Sequence, residues 1–240
     1  MLKPIKKSIK KLKNVVVKNF APIRWKEKNE LDYWRARKLK EGTLNNQHYQ
    51  YFYTEHFGIE KSFYKDKVIL DLGCGPRGSL EWATKTKRNI GLDPLADEYL
   101  KLGASEHKME YISAASEQIP LEDKVCDAIF SFNSLDHVEN IEKTIREIKR
   151  ILKPGGIFLL LVEVNHPPTD CEPHELNQRQ LIDALKPEFT GKNIQLFKPV
   201  RHGIYESILE NKTFAKPLDS TEIGYLSIKF EKLKIDKQHN

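Results

Sequence analysis

Cysteine and long apolar runs are scarce in this chain, and each scarcity excludes something. Three cysteines, Cys74, Cys126 and Cys171, are spread over 240 residues. They make neither an even disulfide set nor the paired spacing of a zinc site, which points to a reducing, cytosolic compartment. No apolar stretch approaches the roughly 18 residues that a spanning helix needs, and no secretory h-region is present. Repeats and low-complexity segments are missing apart from a Lys-rich start. The chain as a whole has a globular make-up, 39% hydrophobic and 31% charged, with enough length to bury one full core and carry additions.

The formal net charge of +6 is unevenly placed. Residues 1–28 hold ten Lys/Arg and one acid, +9, so the rest of the chain carries −3. Leu2, Ile5, Ile9, Leu12 and Val16 fall on one helical stripe between lysines, a basic amphipathic pattern. Such a stripe suits an anionic membrane surface, a nucleic-acid contact, or a solvated terminus or helix packed on the rest of the chain. Pro22 breaks the segment. Residues 27–41 then read as a helix with Leu31, Trp34 and Leu39 inward and Gly42 as its stop. Over 46–57, Tyr49, Phe52, Tyr53 and Phe57 recur at helical spacing.

The chain is organised around residues 68–80. Val68–Leu72 is an apolar run broken only by Asp71, followed by Gly73, Gly75 and Gly78, with Ser79 as a candidate N-cap. This reads as a buried parallel strand, a glycine turn and a helix over 79–86: a nucleotide-binding crevice. Two cofactors compete for it. The glycines and Asp93 satisfy the dinucleotide fingerprint of an NAD-dependent oxidoreductase. Against it, Asp71 sits where a pyrophosphate would approach, and a carboxylate repels phosphate but attracts an ammonium. S-adenosylmethionine, with an amino-acid end and an adenosine end, suits the turn better. Further strands are expected near 89–93, 110–113, 126–131 and 157–164, and helices near 96–102 and 140–151, the alternation of an α/β doubly wound parallel sheet. A helix over 177–186 and an antiparallel pair over 193–200 and 223–231 follow, with 201–222 unassigned between the two strands.

Val68–Gly75 resembles the first motif of class I S-adenosylmethionine-dependent methyltransferases, an apolar run and then D-x-G-C-G. Ile90–Pro94, Glu117–Leu121, Asp127–Asn133 and Leu152–Gly156 are similar to that family's later motifs, in order and spacing. The nearest group is the broad type 11 family. The resemblance implies a Rossmann-like, mostly parallel seven-stranded sheet with an N-terminal helical extension. It divides the chain into a basic tail at 1–24, a helical lid at 25–62 and a methyltransferase domain at 63–240. It also implies S-adenosylmethionine as cofactor. Asp71 would meet the ammonium, Gly73, Cys74 and Gly75 the backbone approach, Arg77 the carboxylate, Asp93 the ribose and Pro94 the adenine edge. Where the family carries an Asp for the adenine amino group this chain has Ala115, so the backbone of Ala115 and Ser116, or the Ser116 hydroxyl, must serve. Asn133 would contribute its carbonyl. Tyr49 and Tyr53 are the lid's candidate substrate-binding residues.

Catalytic candidates are histidines. His137 follows the fourth strand, and His166 and His174 lie with Asp170, Cys171 and Glu172 in a proline-stiffened loop after the fifth. Each could accept a proton from a substrate hydroxyl, and His166 and His174 are also substrate-binding candidates. No tight metal pattern is present, and no metal is expected. The acceptor motifs for amino-group methylation of adenine or glutamine and for cytosine methylation are missing. Nucleic acid is therefore not expected as a partner. A small molecule or glycan methylated on oxygen is expected, with a non-catalytic S-adenosylmethionine-binding protein as the other reading of an intact site. The expected location is cytoplasmic, with peripheral contact to an anionic inner membrane surface through residues 1–20.

Overall fold

The computed structural model describes residues 22–46 and 49–234. The basic stripe of residues 1–20, and the membrane contact expected of it, lie outside them. By contact the chain divides into one unit ending at Leu44 and a second beginning at Asn45.

The first unit is described by helix α1, Pro22–Glu41. Proline at a first helical position has no amide to leave unpaired and a preset φ. Side-chain pairs three or four apart support the helix: Lys28–Asp32 at 2.6 Å and Arg37–Glu41 at 2.8 Å. Gly42, at φ +79°, returns its amide to the Lys38 carbonyl at 2.8 Å and ends it. Leu39, expected inward, is 88% exposed.

The second unit is a seven-stranded sheet. Its strands are β1 Val68–Leu72, β2 Arg88–Asp93, β3 Glu110–Ser113, β4 Cys126–Phe132, β5 Leu152–Val164, β6 Phe189–Phe197 and β7 Gly224–Lys232. The order is β3-β2-β1-β4-β5-β7-β6, parallel except for β7, which pairs antiparallel with both β5 and β6. The order reverses between β1 and β4, so a crevice opens outside their carboxyl ends. Helix α2 is Gln50–Tyr53, α3 Ala96–Lys101, α4 Ile141–Ile151, α5 Gln178–Leu185 and α6 Ile204–Glu210. Asn140 and Asn177 cap α4 and α5 by accepting from the amides of Lys143 and Arg179, each at 2.9 Å.

Side chains alternate across the strands, so each strand feeds two cores. One contains Leu70, Leu72, Ile129, Phe158 and Leu160 with Ile145 and Ile148 of α4 and Leu181 of α5. The other contains Ile69, Phe130, Phe132, Leu159 and Leu161, covered by Phe52, Tyr53, Phe57, Tyr64, Leu80 and by Ile204 and Ile208 of α6. Asp71 lies on the second face, in register with Phe130 of β4 and Gly91 of β2.

Two expectations fail here, and one open segment is filled. No helix forms over 79–86, which is a run of turns and irregular chain. Side chains take the groups a helix would need: Trp82 Nε1 donates to the Ser79 carbonyl at 3.0 Å, Asn89 Nδ2 to the Leu80 carbonyl at 2.6 Å, and Ser79 gives its hydroxyl to Asp71 rather than capping. The aromatic stretch 46–57 is not one helix. It stops after α2, where Thr54 Oγ1 bonds the Gln50 carbonyl at 2.6 Å, and resumes as a 3-10 turn at Glu55–Phe57. The unassigned segment 201–222 contains α6.

Candidate functional site

The glycine turn sits at the carboxyl end of β1 with φ of +69° at Gly73 and +58° at Gly75. Gly73 also has no room for a side chain: an added Cβ would lie 2.4 Å from Ser134 Cβ. Ser134 follows β4, and its hydroxyl donates to the Leu72 carbonyl at 2.7 Å, tying the β4 exit to the turn. Gly91 has a matching role, since a Cβ there would meet Cys74 Sγ at 2.7 Å. The Cys74 side chain is therefore committed to packing, and any ligand contact from this residue comes from its backbone.

Two acids close the turn. Asp93, at the end of β2, accepts from the amides of Gly75 at 3.2 Å and Leu95 at 2.9 Å. Its carboxylate is thus held at the turn. Asp71 is buried. Its Oδ2 accepts from the Tyr53 hydroxyl at 3.0 Å and from the Ser79 hydroxyl. Burial pushes the Asp71 carboxyl up to about 7, partly offset by those two donors. Tyr53 itself packs edge-on against Phe130, with ring centroids 5.0 Å apart.

The remaining donor-side candidates divide. Pro94 is exposed beside the β2 end, and its carbonyl accepts from the Ser113 hydroxyl at 3.2 Å. Ala115 is exposed, but Ser116 is buried with its hydroxyl 2.9 Å from that of Thr144 on α4. The Ser116 hydroxyl is spent there, so the Ala115–Ser116 backbone is what can meet an adenine. Arg77 donates to the Asn45 carbonyl at 3.2 Å. Asn133, exposed and at φ +54°, gives its amide to the Leu161 carbonyl at 2.7 Å, which leaves its own carbonyl at the crevice.

Across Asn133 lie the histidines. His137 closes the 3-10 turn Leu135–His137, with Nε2 at 4.0 Å from Asp136 Oδ1 and 3.7 Å from Glu172 Oε1. Ligand atoms of Asp136, His137 and Glu172 all lie within 4.8 Å of one another. Glu172 is oriented by Thr169, whose hydroxyl donates to Glu172 Oε2 at 2.9 Å and accepts from the Glu172 amide at 3.0 Å. His174 turns away from this group, with Nε2 2.9 Å from the Val138 carbonyl, and serves to pin the loop. His166 is half-buried past the end of β5, where it acts on Glu163. Burial raises the Glu163 carboxyl, His166 opposes that rise, and Glu172 and Asp136 add to it.

Residues unnoticed in the sequence complete the picture. Tyr205 of α6 stacks on Tyr49 with centroids 4.6 Å apart and planes at 27°. Ser134, Glu163 and Tyr225, the last paired with Glu163 across β5 and β7, also border the crevice. Aromatic spacing flagged Tyr49 and Tyr53, but nothing in the unassigned segment marked Tyr205.

The donor set fits an adenosyl sulfonium amino acid: a buried carboxylate for an ammonium, a second held at a strand end for paired hydroxyls, and positive-φ backbone between them. Comparison with known proteins bears on the same turn. Residues 70–160 match the family model described as a methyltransferase domain. A sterol 4-C-methyltransferase of Caenorhabditis elegans is 30% identical over 44% of this chain and 34% of its own length. A fatty-acid O-methyltransferase of Mycolicibacterium smegmatis is 25% identical over 64% of this chain and 69% of its own. The chain spans from about a third to two-fifths of the length of several of the curated relatives it matches. In structure, an S-adenosylmethionine-dependent methyltransferase from Mesorhizobium loti superposes with a TM-score of 0.55 at 19% identity, over 70% of this chain and 92% of that one. Geranyl diphosphate C-methyltransferase from Streptomyces coelicolor, in complex with Mg2+, geranyl diphosphate and S-adenosyl-L-homocysteine, gives 0.53 at 17% identity, over 76% and 77%. The domain match decides between the two cofactors that the glycine turn admits, in favour of S-adenosylmethionine.

Proposed function

Residues 70–160 match the methyltransferase-domain family model, and from that premise we propose that the chain is a type 11, class I S-adenosylmethionine-dependent methyltransferase that methylates a hydroxyl oxygen of a small-molecule or saccharide acceptor. One observation carries the acceptor reading: the His137 imidazole stands between the carboxylates of Asp136 and Glu172 beyond the β4 end. The cofactor supplies an electrophilic methyl group on sulfur. The chain's own task is then alignment and proton removal. Asp71, Asp93 and the backbone of Gly73 and Gly75 would hold the donor. His137 would take the hydroxyl proton, with the Asp136 and Glu172 carboxylates, 4.0 and 3.7 Å from its Nε2, offsetting the charge it acquires. Fatty-acid and malonyl-carrier O-methyltransferases among the relatives support an oxygen acceptor; sterol C-methyltransferases among them make carbon the competing outcome.

His166, Thr169 and Asp170 give the acceptor loop a polar rim suited to a hydroxylated ligand. The aromatic stretch 46–57 of the lid expected at 25–62 would cover the ligand, and residues 1–20 would bring the enzyme to a lipid-linked acceptor at an anionic surface. Among the described residues no helix is long and apolar enough to cross a membrane.

Labelled methyl transfer into fractionated extracts tests the reading, with the product's methylated atom assigned by NMR. An O-methyl product formed by the wild type and lost in His137→Ala supports it. A C-methyl product overturns it. Loss of anionic-liposome binding on removal of residues 1–20 tests the surface contact; unchanged binding refutes it.

A further inference from the structure

The Asp71 carboxylate is closed over by side chains from separate parts of the chain. Tyr53 comes from the aromatic segment and Ser79 from the turn after β1, and both donate to Oδ2. Among the described residues neither bond engages Oδ1, and no Lys, Arg or His lies within ion-pair range. A buried carboxylate without a cation is costly, and a bound ammonium would supply the missing charge.

The third contributor is α6. Tyr205 stacks on Tyr49 and lies 4.7 Å from the Phe52 ring. Burial first, and then the neighbouring Tyr49 and the Asp71 charge, hold its phenol well above the usual range, so it stays neutral. The helix that carries it is fixed. Ile204 and Ile208 are buried in the same core as Tyr53, and Ser207 bonds the Gly203 carbonyl at 2.8 Å while accepting from the Val200 amide at 3.0 Å. Tyr49 and Tyr205 are each partly exposed. Electron-rich rings and phenol oxygens around a carboxylate attract an ammonium, and the rings can line an alkyl stem.

We infer that Tyr205, with Tyr49 and Tyr53, walls a cation pocket on Asp71 that takes the α-amino end of the cofactor, which makes the segment between β6 and β7 part of the donor site. The inference rests on the cofactor reading above and adds α6 to it. Tyr205 is thereby a binding residue, and its effect is confined to one end of the ligand.

Titration calorimetry on the full chain tests this with two probes. S-adenosylhomocysteine carries the amino-acid end; 5′-methylthioadenosine is an adenosine thioether without it. Tyr205→Ala should weaken the first by about tenfold or more, the scale of a lost contact to a charged group, and leave the second within about twofold. Tyr205→Phe keeps the ring and should show a smaller loss, again for S-adenosylhomocysteine alone; it decides the matter should the alanine variant fail to fold. Equal weakening of both ligands, or no loss in either variant, overturns the pocket while the wild type still binds S-adenosylhomocysteine. A wild type that binds neither probe overturns the cofactor reading, and this inference with it.

Discussion

At the donor end of the crevice the chemistry is locked into backbone and core: glycines at positive φ, Asp93 pinned by two amides, Asp71 buried under Tyr53 and Ser79. At the proposed acceptor end it would be carried by half-exposed side chains on two loops, His137 on one and Glu172 on the other. The contrast follows from the two tasks. A fixed cofactor rewards a rigid cradle, whereas acceptor choice can vary through loops without disturbing the sheet. Variants at the two ends should therefore separate binding from turnover.

The largest effect should come from Gly73→Val. The side chain would meet Ser134 at a site whose φ is +69°, so S-adenosylhomocysteine binding should vanish and stability fall by at least ~1–3 kcal/mol. Calorimetry and denaturant melts check both, and retained affinity would mean that the donor end is not built on backbone. Next, His137→Ala should lower methyl transfer by ~10²–10⁴-fold with S-adenosylhomocysteine affinity unchanged. A drop in affinity instead would erase the division between the two ends.

Asp71→Asn sharpens the comparison through pH. Burial raises the native carboxyl to about 7, above its ordinary value of 3.8. The native state therefore holds the proton more tightly, and the stability linked to it is complete below about 4 and lost as pH rises through about 7. The titratable groups facing Asp71 are the phenols of Tyr53, Tyr205 and Tyr111, which stay neutral across that window. Thermal melts of the wild type should fall over it by up to ~4 kcal/mol in this contribution, and those of Asp71→Asn should not. Affinity for S-adenosylhomocysteine should rise with pH over the same range in the wild type alone.

Smaller still, Glu172→Gln should cost turnover only a few-fold, roughly the share of an orienting neighbour, since Asp136 still flanks His137. Smallest, Ser116→Ala should cost about 1 kcal/mol of stability through the lost Thr144 bond and leave cofactor affinity untouched. A weakened affinity would return the Ser116 hydroxyl to the adenine.

Much of the donor end was legible in the residues. The run before Gly73, the glycine spacing and Asp93 are local features, and the strand–turn geometry they demand is the geometry found. The turn after Gly78 was misread because Ser79, followed by Glu81, has the look of a helix start, while the competing partners, Asp71 and Asn89, are supplied by neighbouring strands. The acceptor end was legible only as a collection of histidines. Which of them meets an acid depends on how two loops fold over the strand ends: His174 faces Val138, and His137 meets Glu172.

The residues alone dictate the order of the strands and the cradle at β1, because periodicity, glycine conformation and chain direction are short-range constraints. Only the tertiary structure decided that Tyr205 stands beside Tyr49, that Ser79 serves Asp71 and that Glu172 serves His137. Those partners are far apart along the chain or claimed by rival local uses, and only the closing of the sheet's two faces brings them within reach.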